Sequence, residues 1–363
     1  MPPTSRIPFP AARRIAVWLW LMCTLIVLMV GVGGVTRITE SGLSMVRWEP
    51  VKGVIAPQTP EAWQEAFEDY KQRAGSQFEK FSADREMTVK DYQEIYFWEY
   101  AHRLLGRVIG LAYALPLFYF LLREKIPKPW KIKLLIGLAL GGSQGLLGWF
   151  MVTSGFADKP YVSHFRLAAH LCLALFVLVY LLWMILDLIP FWTHRRENYA
   201  SVQRLRKGAL FFLSLLTVQI VFGAFTAGLR AGYVYNTYPL MGRKLFPNDG
   251  IVDQFGSALR NLFYNPVLIQ FVHRHLGLAV LLSAIALWGF SMQKHLMERQ
   301  KFAANMLLIT VAIQFILGIF TLVSGMNIVL AVSHQVCACF LLGSSVMFFH
   351  ELTPPKIVTS LRS

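Results

Sequence analysis

Long apolar stretches constrain this chain more than any other feature. Eight windows have the length and the low charge density that a helix needs to cross a bilayer. They cover residues 15–35, 98–122, 133–153, 164–189, 208–228, 267–291, 303–323 and 331–350. Because a bilayer core admits only helices and closed barrels, the sequence predicts an all-α integral membrane protein with eight transmembrane helices.

The basic residues predict the orientation of these helices. The net charge is +15, and the lysines and arginines gather before span one and between spans two and three, four and five, and six and seven. The loops 154–163 and 324–330 contain a single basic residue, Lys159. Since cytoplasmic loops carry the excess of basic residues, we expect both termini in the cytoplasm. The charge therefore reports orientation and does not indicate a nucleic-acid partner.

The outer loop over 38–96 is the longest, and it contains many aromatic residues. Within it, residues 60–73 and 88–97 have the pattern of short amphipathic helices. We expect these helices to lie over the mouth of the first half of the protein.

Two sequence patterns occur twice. His-Arg-x-Leu-Gly begins at His102 and again at His273, and Gln-x-x-Leu-Gly-x-Phe-x-x-x-Ser-Gly covers 144–155 and 314–325. Repeats of four spans each have parallel orientation, because an even number of crossings returns the chain to its starting side. We predict two four-helix bundles related by a pseudo-two-fold axis. The predicted divisions are an N-terminal half over 1–190, a cytoplasmic linker over 191–207 and a C-terminal half over 208–363.

Each half places two histidines just inside the outer ends of its helices. They are His102 and His170 in the first half, and His273 and His334 in the second. Two imidazoles in an apolar sleeve are how a four-helix bundle holds a haem iron, so we predict one haem site per half. A lone membrane histidine is usually a packing residue, but repeat-related positions argue against that here. Zinc is a weaker interpretation, because the sequence lacks Cys-x-x-Cys and His-Glu-x-x-His.

The two halves differ three residues before their first histidine. Glu99 precedes His102, whereas Gln270 precedes His273. A carboxylic acid in an apolar pocket suits proton transfer, so we predict Glu99 as the catalytic residue of the first half. An ion pair with Arg103 is the structural alternative. Arginines at the same outer level are predicted to contact haem propionates: Arg37, Arg103, Arg166 and Arg274.

Four segments together resemble one protein family. They are Gly-Val-Thr-Arg-Ile-Thr-Glu-Ser-Gly-Leu-Ser-Met at 34–45, Trp-Glu-x-x-His-Arg at 98–103, Ala-Gly-Leu-Arg-Ala-Gly at 227–232 with Tyr-Asn-Thr at 235–237, and Gln-Phe-x-His-Arg at 270–274. In this order they resemble the haem A synthases, in the branch shared by alphaproteobacteria and mitochondria. Arg230 departs from the pattern, because many members carry an acidic residue there.

The resemblance implies a membrane-bound, haem-modifying oxidoreductase of the bacterial inner membrane. Such enzymes oxidise the C8 methyl group of haem O to a formyl group by successive hydroxylations, the gem-diol losing water, and supply haem A for cytochrome oxidase. By the family pattern, His273 and His334 would hold the iron of a resident haem b cofactor, and His102 and His170 would flank the iron of the substrate haem. Glu99 matches the family's carboxylate beside the substrate.

The resemblance also implies partners. These are haem O as substrate, a haem O synthase upstream, cytochrome oxidase assembly factors and membrane lipid; a homo-oligomer is left open. The alternative function is a diheme b-type electron-transfer cytochrome that oxidises a quinol, which accounts for four histidines but not for Glu99. A haem carrier without chemistry of its own is the third hypothesis.

Overall fold

The computed structural model describes residues 7, 9–45, 52–74, 86–124, 126–153, 162–188, 199–247, 256–294 and 296–353. Within these ranges the chain forms ten α-helices. Their bounds are α1 Phe9–Ile38, α2 Pro60–Ala74, α3 Val89–Arg123, α4 Lys128–Thr153, α5 His164–Leu188, α6 Tyr199–Gly228, α7 Ala258–Tyr264, α8 Pro266–Met292, α9 Glu298–Val323 and α10 Ile328–Glu351.

Eight of these helices are long and apolar enough to span a membrane, namely α1, α3, α4, α5, α6, α8, α9 and α10. They coincide with the eight predicted windows, so the prediction of an all-α, multi-pass membrane protein is confirmed. Most of the helices run several residues beyond their apolar windows. The ends can stay helical because the interface hydrates polar side chains while the backbone keeps its hydrogen bonds.

The outer segment before α3 differs from expectation. The prediction of a separate short helix over 88–97 is wrong, because these residues form the first turns of α3. Thr88 caps that helix: its hydroxyl accepts from Asp91 N at 3.3 Å, and its own N–H donates to the Asp91 carboxylate at 2.9 Å. No helix breaker separates this capping box from the apolar run, so the helix continues.

The predicted helix over 60–73 is confirmed as α2. It packs against the start of α3 through an aromatic cluster, in which the Trp63 and Tyr96 rings lie 5.0 Å apart and the Tyr70 and Tyr92 rings 5.1 Å apart. Tyr70 is fully buried in this cluster. The aromatic residues of the outer segment thus give it a small core of its own above the first spanning helices.

Helix contacts follow the chain's internal repetition. Helix α1 contacts α3 and α5, and α4 contacts the same two; correspondingly, α6 contacts α8 and α10, and α9 contacts the same two. Contacts of α5 with α6 and α10, and of α1 with α10, join the two groups. The pseudo-two-fold relation and the divisions at 1–190, 191–207 and 208–363 remain predictions. Residues 191–198 of the predicted linker lie outside the described residues.

A proline inside α3 creates a local requirement that α1 fulfils. Pro116 has no N–H, so the carbonyl of Ala112, four residues earlier, loses its usual helical donor. The indole Nε1 of Trp18 donates to that oxygen at 2.9 Å, and the Trp18 ring packs 4.9 Å from the Tyr113 ring. The first and third helices are therefore joined where the α3 backbone needs a partner, within the main apolar core.

Equivalent positions of the two repeated segments meet at the outer end. Glu40 and Arg230 each follow a long helix, each adopts a left-handed conformation with φ of 57° and 54°, and each precedes a short 3-10 turn. Their side chains form an ion pair. Beside it, the Arg37 guanidinium donates to the carbonyls of Ala227 and Gly228, at 2.8 and 3.0 Å, at the end of α6.

The Trp18 hydrogen bond yields a prediction about stability. Trp18→Phe leaves the Ala112 carbonyl without a donor, and we expect a loss of about 1–3 kcal/mol in stability. Pro116→Ala restores the backbone N–H, so the Trp18→Phe/Pro116→Ala variant should recover part of that loss. Thermal unfolding in detergent measures the loss in the single variant and the recovery in the double variant.

The control is Trp20→Phe, because Trp20 lies on the same helix with 49% of its surface exposed. It should change the unfolding temperature little. Equal losses for Trp18→Phe with and without Pro116→Ala would contradict this explanation.

Candidate functional site

The four predicted histidines fall into two pairs. His102 of α3 lies near enough to His170 of α5 for their charges to interact, and His273 of α8 is related in the same way to His334 of α10. Each pair therefore joins two helices of the same half. These are the pairs that the sequence predicted, one for each repeat.

Each of these imidazoles rests on a glycine of the preceding spanning helix. In the first half, a methyl group at Gly33 would lie 3.0 Å from Cε1 of His102, and one at Gly148 would lie 3.2 Å from Cε1 of His170. In the second half, a methyl group at Gly223 would lie 3.0 Å from Cε1 of His273, and one at Gly318 would lie 2.9 Å from Cε1 of His334. These distances are shorter than ordinary carbon–carbon contacts, so a Cβ at any of the four positions would require the ring or the helices to shift.

Glutamines lie beside two of the imidazoles. The Gln144 amide nitrogen lies 3.2 Å from each ring nitrogen of His170 and donates to the His170 carbonyl at 3.0 Å. The Gln314 amide nitrogen lies 3.3 Å from Nε2 of His334, and the Gln314 carbonyl lies 3.1 Å from Nδ1. Both glutamines sit one turn before the glycine that contacts the same ring. These contacts orient the imidazoles from the side.

The residues of both sites fit a haem held through two histidines. Each half offers two imidazoles from different helices in a mainly apolar setting, which is the donor set for such a group. Nδ1 of His102 is buried without a hydrogen-bond partner among the described residues, and the His273 imidazole lies beside the backbone of Gln219. The glycine contacts hold each ring close to the backbone of a neighbouring helix.

Glu99 is buried, with 3% of its surface exposed, and is fully engaged. Its Oε2 accepts from Ser44 Oγ and from Met45 N, both at 2.8 Å, and its Oε1 accepts from Arg103 at 2.5 Å. Arg103 also donates to the Met45 carbonyl at 2.9 Å. The pairing with Arg103 that sequence analysis held as an alternative is therefore present. It fixes the segment after α1 to α3, one turn from His102.

In the second half the corresponding loop is also fixed to its helix, but the hydrogen bond at the position of Glu99 runs in the opposite direction. Gln270 donates its amide to the Tyr235 carbonyl at 3.0 Å, where Glu99 accepts from a loop N–H. Arg274, the counterpart of Arg103, donates to the carbonyls of Tyr235 and Thr237 at 2.7 and 2.8 Å. The loop of the first half thus presents donors to a carboxylate, and the loop of the second presents an acceptor to an amide.

The four arginines predicted to contact propionates all have protein partners. Arg37 donates to the end of α6, and Arg103 and Arg274 hold the loops just described. The Arg166 guanidinium lies 5.1 Å from the centre of the Phe150 ring. All four lie toward the ends of α1, α3, α5 and α8 that share one side of the helix bundle, and their contact with propionates remains a prediction.

The structure also places two further histidines and the four cysteines. His275 is exposed and its Nδ1 lies 2.8 Å from the Phe271 carbonyl, as expected for a residue that faces away from His273. His164 is buried among aromatic rings, 5.2 Å from Tyr264. The cysteines Cys23, Cys172, Cys337 and Cys339 are free. Within the described ranges, no group of three or more His, Cys, Asp or Glu residues could hold a metal ion.

Sequence reasoning missed the glycines and glutamines as site residues. The signal was present, because Gln144, Gly148, Gln314 and Gly318 are the polar and glycine positions that open the repeated Gln-x-x-Leu-Gly pattern. The repetition alone did not reveal which helix these residues face. The structure shows that they face the histidine of the next spanning helix.

The fold and these sites define a multi-pass, all-helical membrane protein with a partly buried pair of histidines in each repeat. The chain belongs to the COX15-CtaA family, described as cytochrome oxidase assembly protein, whose model matches residues 16–346.

Curated relatives align along nearly the whole chain. A protein of Flavobacterium johnsoniae named heme A synthase is 39% identical over 341 residues, which cover 94% of this chain and 98% of the relative. Heme A synthase of Caulobacter vibrioides is 39% identical over 97% of this chain and 100% of its own length. That of Rhodopseudomonas palustris is 41% identical, covering 94% and 88%.

The buried ion pair yields a second prediction. Glu99→Ala removes the carboxylate from a guanidinium whose side chain is 7% exposed, and we expect a loss of about 3–5 kcal/mol. Arg103→Ala should lower the stability less in the Glu99→Ala background than in the unaltered protein, because it then removes a buried charge that has no partner. Thermal unfolding of Glu99→Ala, Arg103→Ala and the double variant in detergent gives the coupling energy between the two side chains. Glu94→Ala, at an exposed position of the same helix, is the control, and strictly additive losses would contradict the prediction.

Proposed function

We propose that this chain is a haem A synthase, a membrane-bound oxidoreductase that converts the C8 methyl group of haem O into a formyl group. The observation that carries the proposal is the repeated pair of facing imidazoles in a chain of this family. Relatives that align over their full length bear the name of that enzyme. The product, haem A, would serve the assembly of cytochrome oxidase, as the family's description indicates for its members.

We assign different roles to the two pairs. His273 and His334 would hold the iron of a resident haem b, and His102 and His170 would flank the iron of the substrate haem. The carboxylate in the first half supports this division, because Gln270 stands in its place in the second half and cannot exchange protons at neutral pH. When bound, haem b supplies one-electron transfer.

Glu99 would act as the catalytic carboxylate beside the substrate. It lies one helical turn before His102, so it belongs to the same face of α3. The hydroxyl of Ser44 donates to its Oε2 and would be the immediate proton-exchange partner of this carboxylate. Arg103 and Met45 N hold the group in one place, which general acid–base chemistry requires.

The outer arginines would neutralise the carboxylates of the bound haems. Arg103 follows His102 and Arg274 follows His273, which puts a cation next in sequence to one proposed iron ligand in each half. Arg37 and Arg166 would add cations at the same level. A guanidinium binds a carboxylate through two parallel hydrogen bonds, which suits a haem propionate.

The chain would lie in the bacterial inner membrane with both termini in the cytoplasm. The distribution of basic residues supports this orientation, which puts all four histidines near the outer side. Haem O would come from a haem O synthase, and haem A would pass to cytochrome oxidase assembly factors. Association into a homo-oligomer is not required by either site, because each histidine pair comes from one chain.

The assignment of the histidines predicts which haem each variant retains. His273→Ala and His334→Ala should lose haem b, whereas His102→Ala and His170→Ala should keep haem b and form little haem A. The measurement is acidic extraction of the purified protein from cells that make haem O, followed by chromatography with mass detection. His164→Ala and His275→Ala are the controls. Two equivalents of haem B, without haem O or A, in the unaltered protein would instead indicate an electron-transfer cytochrome.

The role of Glu99 predicts a loss of chemistry without loss of the cofactor. Glu99→Gln keeps the side-chain volume and one acceptor oxygen, but it cannot transfer protons. We expect haem A formation to fall by roughly 100-fold or more, with the haem b spectrum unchanged. Gln270→Glu is the matched exchange in the other half and should not raise haem A formation. Unaltered haem A output from Glu99→Gln would overturn the catalytic assignment.

A further inference from the structure

The glycine contacts show a regularity that the proposed iron ligands alone do not explain. Each glycine lies on the spanning helix that precedes the helix of its histidine: α1 before α3, α4 before α5, α6 before α8 and α9 before α10. In every case the nearest ring atom is Cε1, at 2.9 to 3.2 Å from the position that a Cβ would occupy. Cε1 lies between the two ring nitrogens, so the contact is made by the edge that carries the binding atoms.

We propose that Gly33, Gly148, Gly223 and Gly318 are positioning residues, each of which sets the position and rotation of one imidazole at its iron. The inference rests on the proposed function, because it assumes that the four histidines bind haem iron. The inference adds one claim to that function, namely that the absence of a side chain on the neighbouring helix sets the geometry of each ligand.

The distances support this assignment. Side-chain contacts of a carbon with a ring carbon usually lie near 3.5–4.0 Å, so a methyl group at any of these glycines would push the ring or separate the helices. The ring is held at its Cβ by its own helix, so displacement at Cε1 turns it about the bond to the helix. Such a rotation changes the angle between the two imidazole planes at one iron.

The glutamines indicate that ring rotation is controlled elsewhere as well. Gln144 and Gln314 contact the rings of His170 and His334 from one turn before Gly148 and Gly318. One helix segment therefore supplies both a flat surface under the ring and an amide beside it. Groups that orient a metal ligand in this way usually affect metal affinity by about 10–100-fold.

Two glycines on the helices that carry His102 and His273 serve as controls. Added methyl groups at Gly110 of α3 and Gly289 of α8 would meet no atom within 4 Å. Alanine generally favours a helix over glycine by about 1 kcal/mol. Alanine at these two positions should therefore leave both sites intact, and a defect at the four proposed positions cannot be attributed to weaker helix formation.

The experiment uses the full-length protein purified with its haems. Gly223→Ala and Gly318→Ala should shift the highest g value of the low-spin ferric haem b signal. They should also release haem b to excess apomyoglobin roughly tenfold faster than the unaltered protein. Haem O content should stay unchanged in both, which shows that the first half has kept its fold.

The first-half variants give the reciprocal result. Gly33→Ala and Gly148→Ala should retain less haem O while the haem b signal and its release rate stay unchanged. Gly110→Ala and Gly289→Ala should match the unaltered protein in every measurement. The haem retained by the unaltered half thus shows whether each variant protein is folded.

Two outcomes would overturn the inference. One is an unchanged haem b signal and release rate in Gly223→Ala and Gly318→Ala; the other is loss of both haems from a single glycine variant, since the effect is then not local. If His273→Ala and His334→Ala lose haem b while the glycine variants behave like the unaltered protein, the histidines are iron ligands but the glycines do not position them. Retention of haem b by the histidine variants would overturn the ligand assignment itself.

Discussion

Polar groups that enter the apolar part of this protein must find partners within the chain, because lipid offers none. The structure meets this requirement for the Ala112 carbonyl and for the Glu99 carboxylate. The Trp18 indole serves the carbonyl that Pro116 deprives of its donor, and Glu99 is enclosed by Arg103, Ser44 and Met45. The histidines depend on the same rule, since neighbouring helices shape the space around each ring. Helix packing and site geometry therefore have a common cause.

The junction between loop and helix explains how two similar halves accommodate different side chains. A carboxylate only accepts hydrogen bonds, so Glu99 requires loop donors, and it has them in Ser44 and Met45. An amide can donate, and Gln270 accordingly meets the Tyr235 carbonyl. The difference at this position is thus built into the backbone of each loop. Any chemical role of Glu99 comes in addition to its role in holding the first loop on α3.

Much of this architecture could be predicted from the sequence. Apolar length gave the eight spans, and internal repetition gave the histidine pairs, because both signals are local patterns. The pairing of Glu99 with Arg103 could be foreseen only as an alternative, since a four-residue spacing permits the contact without requiring it. The glycines under the imidazoles could not be assigned, because their partners lie on other helices. The extension of α3 back to Val89 depended on a capping box that the apolar pattern does not reveal.

The contact between Glu40 and Arg230 carries a consequence for the history of the chain. These residues occupy equivalent positions of the two repeated segments and touch each other. In a pair of identical subunits, the same contact would join a residue to its own copy, and an ionised side chain would face a like charge. Opposite charges at this point are available only when the two segments differ in sequence. The ion pair is therefore a mark of divergence between the two segments.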